Sequence, residues 1–134
     1  MKEQTSKLMA FLDASVSVYH AAAYLADTLE QAGYTRLCEG DTLQLAGLTI
    51  QVIHTPGHTP GSVCLLIGDT MFSGDTLFQM SYGRIDFPTG SGQDMLASIK
   101  RLLTTLPEET MVYPGHMGPT TIAHEKKYNP LARY

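Results

Sequence analysis

The chain has 134 residues, of which 43% are hydrophobic and 16% charged, and a net charge of −4. This describes one globular domain long enough to bury a core and excludes a disordered chain. No basic run exceeds Lys126-Lys127 and no apolar stretch reaches membrane-spanning length, which argues against a nucleic-acid surface and a transmembrane helix. The opening residues are too polar and mixed for a secretory signal. Cys38 and Cys64 lie far apart and form no Cys-x-x-Cys. A reduced, cytoplasmic protein is the expectation.

In chain order, residues 5–13 read as a short helix and "VSVY" (16–19) as a strand. "AAAYLADTLEQAG" reads as a helix that stops at Gly33. "DTLQLAGLTIQVIHT" (41–55) reads as a hairpin turning at Ala46-Gly47, with Leu48, Ile50 and Val52 on one face. "SVCLLIGDTMFSGD" predicts two strands around Gly68-Asp69, and its apolar run predicts burial on both faces, with Cys64 a small buried hydrophobe. Residues 92–106 carry apolar side chains at helical spacing, with Ser91 and Asp94 as a capping box and Pro107 beyond the end. "TMVY" (110–113) reads as a strand and "TTIAHEKKY" (120–128) as a last helix ended at Tyr128-Asn129-Pro130. The expected class is α+β: a helix-rich lead-in over 1–33, then over 41–134 a largely antiparallel sheet covered by helices on one face.

Three strands end in loops of one type: "HTPGHTPG", "SGDTLF" and "YPGHMGP". Each is rich in glycine or proline and carries one side chain able to bind a metal: His58, Asp75 and His116. Proline fixes φ and glycine permits backbone shapes other residues avoid, so such loops aim a side chain with little entropy left to lose. Two histidines and a carboxylate suit zinc or iron. Taken singly, each residue has a plainer reading: a turn histidine, an Asx-turn or cap, a hydrogen-bonded structural histidine. Arg84 and Asp86 in "GRIDFP" either pair with each other and pin their loop or border a substrate pocket. His54 is expected to bond within its own loop, and His20 and His124 to be surface or capping groups. There is no Gly-x-Ser-x-Gly elbow, P-loop or Gly-x-Gly-x-x-Gly.

These loops, in this order, resemble the second half of the metallo-β-lactamase superfamily, and within it the glyoxalase II-like (hydroxyacylglutathione hydrolase-like) hydrolases. "HTPGHTPGSVCLLIGDTMFSGDTLF" resembles the third-histidine and bridging-aspartate loops, "YGRIDFPTGS" the segment that follows, and "VYPGHMGPTTIAHEKKYNP" the last metal-binding histidine and closing helix. "VYHAAAYL" looks like the strand-helix join after the first metal loop, so the likeness covers nearly all of 16–130. It implies one sheet with its helices, half of a four-layer αββα sandwich. It also implies that His58 serves one metal ion, His116 a second, and that Asp75 bridges them. The ions implied are zinc, iron or manganese, one of them or none in this chain, and the reaction is metal-assisted hydrolysis of a thioester or ester.

The resemblance has two departures. The family's His-x-His-x-Asp-His loop is absent, since no His-x-His occurs in the chain. Met117 also stands where the family has glycine directly after the last histidine, which implies altered loop geometry or reduced access. By this reading the sequence starts near where the family's first half ends. The chain alone is then expected to hydrolyse little or nothing, and the apolar face of its sheet to be covered by a second copy, by a chain bringing the missing loop, or by rearranged helices from residues 1–33. The competing reading is a non-catalytic binding or assembly subunit. A nuclease of the same superfamily is disfavoured by the acidic charge.

Overall fold

The computed structural model describes Ser6 and residues 18–134, the side chains of 18–22 excepted. Two compact units divide between Leu37 and Cys38. In the first, helix α1 spans Val18–Gln31. The strand expected over 16–19 is not found where it can be seen, because Val18 and Tyr19 open this helix. Two alternating residues do not outweigh the alanine-rich run that follows them. Residues 16 and 17 lie outside the described residues, as does all of the helix expected over 5–13 except Ser6, which is helical. Gly33 (φ 88°) ends α1 as expected, its amide bonding the Glu30 carbonyl while the Tyr34 amide bonds that of Leu29. That pair is a Schellman motif, and glycine takes its left-handed position without strain.

The second unit is a six-stranded sheet with a two-stranded ribbon and helices. The strands are β1 (Thr42–Leu45), β2 (Leu48–His54), β3 (Val63–Ile67), β4 (Thr70–Gly74), β7 (Met111–Pro114) and β8 (Thr120–Thr121), in that spatial order. β5 (Leu77–Phe78) and β6 (Ser81–Tyr82) form the ribbon. The expected hairpins are present, with Ala46-Gly47 turning between β1 and β2 and Gly68-Asp69 between β3 and β4. The sheet is less uniformly antiparallel than expected, because β4 and β7 pair in parallel. A parallel pair needs a long crossover. Here it contains β5, β6 and helix α2 (Gly92–Thr105).

Helix α2 forms for the reasons its sequence suggests. Met95, Ile99, Leu102 and Leu103 repeat at helical spacing and are all buried. They pack with Ile53, Cys64, Met71 and Val112 from one face of the sheet. Ser91 Oγ accepts from the Asp94 amide at 3.2 Å, but the Ser91 amide bonds the Gly57 carbonyl at 2.8 Å. The helix cap therefore also fastens a loop. The last helix, α3, is shorter than expected, at Ile122–Tyr128. Thr120 and Thr121, β-branched and opposite Val112 and Met111, join the sheet as β8, and Thr121 caps α3. Asn129 ends it, as expected, before a 3₁₀ turn over Pro130–Arg133.

Burial on both faces of β3 and β4 is not observed. Cys64, Met71 and Ser73 face the helices and are buried, whereas Val63 and Phe72 on the other face are exposed. On that face Leu65, Phe72 and Tyr113 lie opposite one another across three strands. Leu45 and Leu48 extend it, both exposed, while Ile50 and Val52 are its buried members. Among the described residues no helix is long and apolar enough to cross a membrane.

Two measurements check this packing. Ser91→Ala is expected to cost about 1 kcal/mol in thermal or denaturant unfolding. Burial pushes the Cys64 thiol up and leaves it fully shielded, while Cys38 is exposed. Iodoacetamide on the folded chain should therefore alkylate Cys38 and spare Cys64, read by peptide mass spectrometry.

Candidate metal centre

All three ligand loops leave the same end of the sheet. β2 and β4 each run antiparallel to β3, and β4 and β7 are parallel, so the three strands point the same way. Residues 55–62 follow β2, Asp75 follows β4, and Gly115-His116 follow β7.

The His58 loop is fastened along its length. At its start Arg101 of α2 donates to the His54 carbonyl, and Glu39, paired with Arg101 at 2.9 Å, accepts from the His54 amide. The His54 ring bonds the Pro60 carbonyl at 2.7 Å, as expected of a residue serving its own loop. Ser98 donates to the Pro56 carbonyl at 2.7 Å. Gly57 (φ 148°) lies so close to α2 that a Cβ would stand 2.5 Å from the Met95 Cα. No other residue fits there, which is why glycine precedes His58. Buried Thr55 and Thr76 join this loop to the next, hydroxyl to hydroxyl at 3.0 Å.

Asp75 is the point of convergence. Its Oδ2 lies 3.6 Å from His58 Nε2, and its Oδ1 lies 3.5 Å from His116 Nε2. Both separations exceed a hydrogen bond. They match the spacing of two ligands on one ion, since atoms about 2.1 Å from a tetrahedral metal stand about 3.4 Å apart. His58 Nδ1 bonds the Arg84 carbonyl at 2.8 Å, which makes Nδ1 the protonated nitrogen and leaves the Nε2 lone pair facing Asp75. Phe87 meets the His58 ring edge-on at 5.1 Å, and Phe78 meets the His116 ring likewise at 5.7 Å. Glycine is again required nearby: a Cβ on Gly115 would stand 2.6 Å from Asp75 Oδ1. The donor set and this open cradle fit one divalent ion on each side of the Asp75 carboxylate. Among the described residues no three metal-binding side chains close on a single point. The arrangement thus sets one imidazole nitrogen beside each oxygen of the Asp75 carboxylate.

Arg84 and Asp86 lie beside the His58 loop and are paired with each other. They pair through two bonds of 2.6 and 2.8 Å, both exposed, with the guanidinium 4.4 Å above the Phe87 ring. The hydrogen bond from Arg84 holds the Asp86 carboxyl below the usual range, and Asp86 in turn raises the Arg84 guanidinium. Met117 takes a left-handed backbone, φ 68°. Glycine adopts that shape freely and other residues adopt it at about 1–2 kcal/mol. The substitution thus leaves the loop its left-handed turn and adds an exposed side chain beside His116.

Two groups escaped the sequence analysis. One is the Thr55–Thr76 contact, for which two threonines in separate turn motifs give no warning. The other is Glu125, fully buried in α3. In "HEKKY" it looks like an ordinary charged helix residue, and its only signal is its place three residues after buried Ile122 and four before buried Asn129.

Residues 8–116 match the metallo-beta-lactamase superfamily. The chain belongs to that family. The six-stranded sheet and its helices match part of the metallo-beta-lactamase fold. The chain is similar to ETHE1 from Myxococcus xanthus, with a TM-score of 0.70 and 42% identity over 74% of this chain and 46% of that one. It is also similar to TTHA1623, solved in a di-iron-bound form, with a TM-score of 0.63 and 45% identity over 72% of this chain and 47% of that one. Among curated proteins it is 39% identical to the hydroxyacylglutathione hydrolase GloC of Haemophilus influenzae, over 69% of this chain and 45% of that protein. The chain spans under half the length of such curated relatives.

Gly57→Ala is expected to destabilise the chain by about 3 kcal/mol, read as a lower denaturant midpoint, because the new methyl meets helix backbone that has nowhere to move.

Proposed function

We propose that this chain carries one half of the metal centre of a hydroxyacylglutathione hydrolase-like enzyme, a metal-dependent hydrolase of thioesters or esters. One observation carries the reading: the Asp75 carboxylate presents one oxygen to each of two imidazole Nε2 atoms, at 3.5 and 3.6 Å. The named activity of the Haemophilus relative supports the substrate class, and the di-iron form of TTHA1623 supports a paired metal centre.

In this reading His58 Nε2 and Asp75 Oδ2 hold one ion, and His116 Nε2 and Asp75 Oδ1 hold the other. Zinc, iron and manganese all suit the donors. Bound ions there would polarise the scissile carbonyl and supply hydroxide at neutral pH. The chain's own residues position these groups: the Arg84 carbonyl sets the His58 tautomer, and Phe87 and Phe78 fix the ring planes. Two ligands per ion fall short of the three protein ligands of a catalytic zinc site. The chain alone is therefore a weak hydrolase or none, and full activity needs ligands from the His-x-His-x-Asp-His loop that this sequence lacks.

A second reading is favoured by a separate observation. The sheet face bearing Leu45, Leu48, Val63, Phe72 and Tyr113 is apolar and exposed. An assembly subunit would bury this face against a second copy or against a chain that brings the missing ligands.

Zinc titration with a thermal melt tests the first reading. Zinc should raise the melting temperature of the chain, and Asp75→Asn should abolish the rise. A full zinc shift in Asp75→Asn would put the metal elsewhere. The mass in solution, measured on the same sample, separates monomer from dimer. A dimer without zinc uptake would favour the assembly subunit.

A further inference from the structure

The mechanism above makes no use of Glu125, the one fully buried carboxylate among the described residues. It accepts four hydrogen bonds. Oε1 takes them from the Thr120 hydroxyl at 2.7 Å and from His124 Nδ1 at 2.9 Å. Oε2 takes them from the Met80 amide and from Asn129 Nδ2, both at 2.9 Å. Asn129 is itself buried and bonds the Ser81 carbonyl at 2.9 Å through the same nitrogen. A carboxylate out of water is stable only when its lone pairs are filled in this way.

Two of the four donors, Met80 and Thr120, belong to the two segments that carry Asp75 and His116, and the other two belong to α3 and its end. The first loop leaves β4 at Gly74, carries Asp75, forms the β5–β6 ribbon and reaches Glu125 through Met80. The second leaves β7 at Pro114, carries His116 and reaches Glu125 through Thr120. At their starts the loops are joined directly, the Gly115 amide donating to the Gly74 carbonyl at 2.8 Å. They form a ring closed at both ends, with Asp75 and His116 inside it. Met80 holds a left-handed backbone, φ 53°, which a non-glycine residue keeps only when its surroundings enforce it. The bond from its amide to Glu125 is the visible enforcement. Phe78, two residues earlier, is the ring against which His116 packs.

We propose that Glu125 is a positioning residue of the candidate metal centre, the clamp that fixes the Asp75 loop against the His116 loop. It touches neither ligand and acts through Met80, Phe78 and Thr120. His116 needs this support more than His58 does, because its side chain is 70% exposed against 18%. The proposal rests on the reading of Asp75 and His116 as ligands.

The test is Glu125→Gln in the whole chain, with two readouts. In the metal-free protein, amide exchange at Gly115 is expected to rise about tenfold while the β3–β4 ladder amides of Leu65 and Phe72 keep their rates. In zinc calorimetry, Kd is expected to rise about tenfold or more, the range for residues that orient ligands. Unchanged Gly115 exchange overturns the proposal. So does a uniform rise over the whole sheet, which would mean lost global stability and not a released loop. If the unaltered chain takes up no zinc, the ligand reading fails, and the exchange readout still decides the clamp. If Glu125→Gln does not fold, Thr120→Val removes one donor to the same carboxylate and is read in the same way.

Discussion

Asp75 can face two imidazoles only because β4 and β7 lie side by side and run in the same direction. Their register sets Gly74 opposite Pro114, so both chains leave the sheet at one level and one end. An antiparallel neighbour would carry its following loop to the far end. The parallel pair in turn depends on α2, whose Met95, Ile99, Leu102 and Leu103 bury against the sheet as the crossover returns. Core packing and ligand placement are thus one constraint. The face of α2 that fills the core also holds the His58 loop, through Gly57 and Ser98.

The two histidines beside the Asp75 carboxylate are held differently. His58 is tightly dressed, its Nδ1 bonded to a carbonyl, its ring met edge-on by Phe87, and the residues before it tied to α2 and its cap. His116 is open to solvent, with Phe78 and Asp75 as its neighbours. The order on the His116 side comes from farther away, from the ribbon and the network around α3. A fastened and a looser imidazole on either side of one carboxylate differ in how much each must be ordered before it can hold a ligand.

The three strand-end loops are legible in the sequence because proline and glycine mark them, and α2 because apolar spacing over four turns is hard to imitate. Short elements are not, since local preference there is weak: Val18-Tyr19 belong to a helix and Thr120-Thr121 to a strand. The apolar run 63–67 reads as buried on both faces and is not. Hydrophobicity alone does not distinguish a strand covered twice from one whose second face is left exposed. What no local pattern carries is contact between distant residues. The bond from His58 to the Arg84 carbonyl spans 26 residues, and that from Met80 to Glu125 spans 45. The family resemblance points to His58, Asp75 and His116. It leaves unspoken the groups that hold them.

One of those holding groups belongs to the main chain. The acceptor for His58 Nδ1 is the carbonyl of residue 84 and not its side chain. No substitution at that position can delete it. The orientation of the imidazole is therefore inherited with the backbone path from Gly83 to Asp86, a path that is itself fixed at Gly83, where a Cβ would stand 1.8 Å from the Asp75 carbonyl oxygen. A different side chain at position 84 can therefore change the surroundings of His58 while the acceptor that sets which nitrogen the ring offers stays in place.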